Sequence, residues 1–158
     1  MNRPPFSPVV AMSARQSLGL SPQQVTEQMN ACGVPVDISM IHAWEVGEYG
    51  PTEDELFVLA DVLWCRTTEL MDVAEPRTLA EHRLACRLGA AKLAHAIGMP
   101  TADYERAEQR NTWTGDGRQT AALLRTLNLT LPQLARVTGQ PGTPGPDLPT
   151  SLGGGLLQ

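Results

Sequence analysis

Aromatic residues supply only 4 % of the 158-residue chain, so any core has to be aliphatic, with few large anchors. No apolar run approaches the ~20 residues needed to cross a bilayer. The N-terminus also lacks the basic, then apolar, then small-residue order of a secretory signal. The expected protein is therefore soluble, cytoplasmic and without a membrane partner. Cysteine is scarce and odd in number: Cys32, Cys65 and Cys86 each lie in a hydrophobic stretch, which predicts reduced, buried thiols and no disulfide framework. The length fits one ordinary domain or two very small ones and excludes a large multidomain enzyme.

Constellations that carry chemistry are missing as well. His42, His82 and His95 lie apart, and no Ser-His-Asp or Cys-His arrangement has a basis in the spacing. His82 and Cys86, four apart on one predicted helix, are half of a zinc site with no second pair to complete it. Gly153, Gly154 and Gly155 have neither a following helix nor a lysine and make no phosphate loop. The expectation is no enzyme, no cofactor and no metal.

Charge is distributed unevenly. Residues 11–73 carry two basic groups, Arg15 and Arg66, against ten acidic ones, a balance of −8, whereas residues 74–140 carry nine against six, a balance of +3. Only the second stretch has the sign that attracts a polyanion.

Helical periodicity fills the middle of the chain. Four capping boxes mark helix starts, a Ser or Thr oxygen accepting from an amide three residues on while a Glu or Gln reaches back: Ser21 with Gln24, Thr52 with Glu55, Thr78 with Glu81 and Thr130 with Gln133. Leu56, Leu59, Ala60 and Leu63 follow the second of them at one-face spacing. Helices are predicted to begin near Val9, Ser21, Asp37, Thr52 and Thr67, and again near Thr78, Gly89, Thr101, Thr114 and Thr130. Residues 1–10, with three prolines, read as an extended lead-in. Residues 139–158, rich in Gly, Pro and Thr, read as a disordered tail.

The chain also resembles itself at a period of roughly 63 to 68 residues. Arg15–Val25 aligns with Arg83–Leu93, Gly33 with Gly98, Met40–Glu45 with Asp103–Glu108, and Leu63–Leu70 with Leu127–Leu134. Two helical units follow, 11–73 and 74–138, joined around Ala74–Arg77. In each, a helix, a glycine turn and a capped helix form the helix-turn-helix order, whose trailing helix can enter a major groove.

The stretch LGLSPQQVTEQM with DISMIHAWEVGEYGPTEDELFVLADVLWCRTTELM resembles the Cro/phage-repressor (XRE) helix-turn-helix family. The family pattern stands here as Ile41, Trp44, Glu45 and Gly47, followed by Pro51. RLGAAKLAHAIGMPTADYERAEQRNTWTGDGRQTAALLRTLNLTLPQLARVTG is similar to the same family through Leu88, Leu93, Ala94, Gly98, Tyr104, Ala107, Glu108 and Leu127. The resemblance implies an all-α chain of two tandem five-helix lambda-repressor-like domains and a bacterial transcription regulator that binds double-stranded DNA. It also implies that Gln23 and Gln24 contact phosphate and that Ser39, Met40 and His42 face base edges.

In the first unit the outward positions of the trailing helix are expected to be Ser39, Met40, His42 and Ala43, with no Arg or Lys among them. The second unit offers Asp103, Arg106, Gln109 and Arg110 on its trailing helix, Arg83 and Arg87 from the helix before, and Lys92 at the position of Gln24. Arg106 suits guanine, Asp103 a cytosine amine and Lys92 a phosphate near a helix start. A homodimer would require half-sites about 34 Å apart. The alternative is a helix-turn-helix fold used as a protein-binding adaptor without DNA, its acidic residues 11–73 meeting a basic partner protein.

Overall fold

The computed structural model describes residues 3–139, and every regular element among them is an α-helix. The chain divides into two compact units between Pro76 and Arg77. The first holds α1 (Pro8–Ser17), α2 (Pro22–Ala31), α3 (Ile38–Val46), α4 (Glu53–Val62) and α5 (Thr67–Met71). The second holds α6 (Leu79–Ala85), α7 (Ala90–Ile97), α8 (Thr101–Arg110), α9 (Gly117–Leu127) and α10 (Leu131–Val137).

Helix starts follow the capping chemistry. Ser21 Oγ accepts from the Gln24 amide at 3.1 Å while the Gln24 side chain accepts from the Ser21 amide at 2.8 Å, and the same reciprocal pair forms at Thr52–Glu55 and Thr130–Gln133. Thr78 makes half a box: its hydroxyl accepts from the Glu81 amide, but the Glu81 carboxylate turns to the Arg77 amide instead. The start expected near Thr114 falls at Gly117, because Asp116 and Gln119 close a box of their own at 2.8 and 3.0 Å.

The lead-in is shorter than expected, and it is tied down. Proline at the first helical position loses no hydrogen bond, so α1 starts at Pro8 with Ser7 as its cap. Ahead of it the Ser7 amide donates to the Leu70 carbonyl at 2.7 Å. Arg3 donates to the Gly50 carbonyl at 2.6 Å and lies 5.1 Å from the centre of the Tyr49 ring. The tail read as disordered lies outside the described residues, Gly139 excepted.

Each unit buries its own core around its third helix. Ile41 and Trp44 are buried on α3, and Tyr104 and Ala107 occupy the corresponding places on α8, so the large ring sits one helical turn earlier in the second unit. In that unit α7 packs against α8 and α9. Trp113 plugs the loop after α8: it is buried and donates to Thr120 Oγ1 at 2.8 Å. A Cβ on Gly115 would lie 2.4 Å from the Trp113 ring, so only glycine fits there. Asn111 spans the second unit, its side chain accepting from the Leu79 amide and donating to the Val137 carbonyl.

Two expectations about burial are corrected. Cys32 and Cys86 are exposed, while Cys65 is half-buried, and none of the three is in a disulfide. Cys32 caps the end of α2 and Cys86 the end of α6, where the chain turns toward solvent.

After α4 the chain leaves the helix through Trp64 at φ 57°, and after α9 through Asn128 at φ 56°. Asparagine tolerates this left-handed conformation, whereas tryptophan is strained there, and Trp64 is 86 % exposed with no burial to offset the strain. Trp64→Asn is expected to stabilise the first unit by about 0.5–1 kcal/mol, read as an upward shift of its thermal transition.

Candidate nucleic-acid interface

An arginine on the first helix of each unit fixes the third helix. Arg15 on α1 donates through Nε and Nη2 to both carboxylate oxygens of Glu45 on α3, at 2.6 and 3.0 Å, and through Nη1 to the Leu20 carbonyl at 2.9 Å. Arg83 on α6 makes the same bonds to Glu108 on α8 and to the Leu88 carbonyl. This bidentate fork fixes position as well as charge. The Arg83 side chain is 3 % exposed and that of Glu108 13 %, and the bonds to the Leu20 and Leu88 carbonyls also hold the turn that follows each first helix.

Arg83 is therefore corrected as an interface residue: its guanidinium belongs to the core of the second unit. The internal repeat places Arg15 over Arg83 and Glu45 over Glu108, and the recurrence of both partners was the signal for a pair. Tyr104 lies beside it, and burial together with the Glu108 charge pushes its phenol far above the ordinary range.

The remaining second-unit candidates are at the surface. Gln109 and Arg110 are exposed on α8, Lys92 on α7, and Arg87 in the turn between α6 and α7. Arg87 has φ 58° where the first unit has Gly19 at 70°. Arg106 is exposed and paired with the partly exposed Asp103 one turn before it. Such surface pairs contribute about 0–1 kcal/mol.

In the first unit Gln23 is exposed and bonded to Glu27, and Gln24 uses its carbonyl oxygen in the α2 cap. Ser39 donates to Asp37, and His42 is exposed. Two positions expected to be outward are not: Ala43 is 7 % exposed and Met40 half-buried, because the arc of α3 they occupy turns toward the core side. The missed outward residues are apolar, Ile38 and Val46.

The first core contains a cavity of about 10 Å³ lined by Arg15, Ile41, Trp44 and Glu45 among others, the space of roughly one water molecule. Among the described residues no group of three His, Cys, Asp or Glu side chains could hold a metal ion, and no helix is long and apolar enough to cross a membrane.

His82, half-buried on α6, has its pKa depressed by burial, with the Glu81 charge opposing in part. The unfolded chain then takes up the proton more readily than the folded one, so stability is full above the ordinary value of 6.5 and is lost as pH falls from there through the depressed value. A pH series of melting curves is expected to show this decline in the second unit, and His82→Gln to flatten it. Comparison with known proteins finds no matching family model, no matching curated protein and no matching solved structure.

Proposed function

We propose that the chain is a sequence-specific DNA-binding transcription regulator built from two tandem helix-turn-helix units, of which the second makes the duplex contacts. The observation that carries this reading is the disposition of charge in residues 77–139. Arg83 is turned inward, and the other eight basic side chains, Lys92 and Arg110 among them, are all exposed. Affinity for a duplex rests first on phosphate neutralisation, which these exposed cations would provide.

In this reading α7 and α8, joined through Gly98 at φ 74°, are the helix-turn-helix pair. Lys92 on α7 meets phosphate, and Arg106, Gln109 and Arg110 on α8 face the major groove, where a bidentate arginine distinguishes guanine. Asp103 exchanges Arg106 for a cytosine amine. The first unit, at −8 with no cation on the outward side of α3, is repelled by phosphate, so Gln23, Gln24, Ser39, Met40 and His42 lie outside the duplex contacts.

Selection of bound fragments from random duplex DNA by the full chain tests the reading. An enriched motif is expected, with affinity that falls steeply between about 50 and 200 mM salt. No enrichment and no retardation at the lower salt would refute it.

A further inference from the structure

Ile38, Ser39, His42 and Val46 share one arc of about 100° on the outward side of α3, with Ile38 39 % and Val46 70 % exposed. Glu45, the one carboxylate within the helix, is turned to Arg15, so this outward arc carries no anion or cation between Asp37 at one end and Glu48 at the other. The framework does not require such a face. On α8, gripped by the same arginine–glutamate pair, the equivalent positions are Thr101, Ala102, Glu105 and Gln109, with no large apolar side chain.

Residues 11–73 carry ten acidic groups against two basic ones. Of the two basic residues in 11–73, Arg15 is consumed by Glu45, and Arg66 is exposed beside Glu69. We propose that the outward face of α3 docks a cationic amphipathic helix from a partner protein. Its apolar side chains, spaced four apart, would cover Ile38 and Val46, and its Lys or Arg side chains would meet Glu48 and the Asp37 carboxylate, whose Oδ1 also caps α3 by accepting from the Met40 amide and the Ser39 hydroxyl. Ten residues lie between those carboxylates, and the nine-residue helix among them is roughly 13 Å long.

A second copy of this chain is a poorer occupant. A two-fold axis through His42 that makes the helices antiparallel sets Asp37 near Glu48 of the other copy, and one that makes them parallel sets each carboxylate near its own twin. A duplex is repelled by the same carboxylates and gains nothing from Val46. The inference stands independently of the second unit's DNA contacts.

Titrating the isotope-labelled full chain with a helical Lys/Leu peptide of about 14 residues, its leucines on one stripe, tests it. A same-composition scrambled peptide and a short duplex serve as comparators. Amide shifts confined to residues 37–49 are expected, with affinity about tenfold above the scrambled peptide and about tenfold lower in the Ile38→Ser, Val46→Ser chain. Glu48→Lys, beyond the helix end and apart from the core, is expected to weaken binding severalfold even if the serine chain folds poorly. No binding, equal affinity for the scrambled peptide, shifts centred on the α4 and α5 carboxylates, or the duplex shifting 37–49 would each overturn the proposal.

Discussion

Glu108→Ala is expected to cost the second unit about 3–5 kcal/mol, the usual consequence of leaving one member of a buried ion pair unpartnered. The Arg83 guanidinium would stay charged at 3 % exposure without the two carboxylate oxygens that its fork grips. A unit of this size is stable by only about 3–9 kcal/mol, at 0.05–0.15 kcal/mol per residue, so most of its folding free energy is at stake. Calorimetry of the full chain is the measurement, with separate transitions for the two units. Glu108→Ala should lower or abolish one transition and leave the other. Replacing Arg83 and Glu108 together by Met and Leu should restore most of the stability, since apolar side chains of similar volume need no counter-charge. A change below about 1 kcal/mol in Glu108→Ala would mean that Arg83 finds another acceptor and that the pair does not organise the unit.

Charge reversal at Lys92 and Arg110 is expected to have the largest effect on DNA binding. Lys92→Glu should lower affinity by a similar factor for every sequence and reduce the salt slope by about 0.9 for each phosphate no longer neutralised. Arg110→Glu should add a sequence-dependent loss of about 1–3 kcal/mol if its guanidinium reads a base edge. Anisotropy titrations over a salt series separate the two effects. Both side chains are exposed, so melting temperatures should stay put. Unchanged affinity in both variants would remove α7 and α8 from the interface.

The helix starts were legible because local chemistry fixes them: Ser21, Thr52 and Thr130 bond their own turns whatever packs above. Asp116 is harder to read because Thr114, two residues earlier, is an equally good cap residue, and nothing local shows that Trp113 folds back onto Gly115. The fate of Arg83 was not legible from charge alone. A lone arginine in a basic stretch reads as surface, and its inward turn depends on Glu108, 25 residues later. Ala43 failed for a related reason: helical phase places it at the boundary of the outward arc, and which side is buried is decided by neighbouring helices. The aliphatic Ile38 and Val46 read naturally as core, and only the packed structure places them outside.

The bond from Ser7 to Leu70 joins the first residues of one unit to its last helix, and Asn111 joins Leu79 to Val137 in the other. Each unit is thus entered and left at neighbouring points. A module with coincident entrance and exit can be copied in series along a gene, or inserted elsewhere, without re-threading its backbone. Once copied, the outward residues of α3 and α8 are free to diverge, because the arginine–glutamate grip holds only their inward sides.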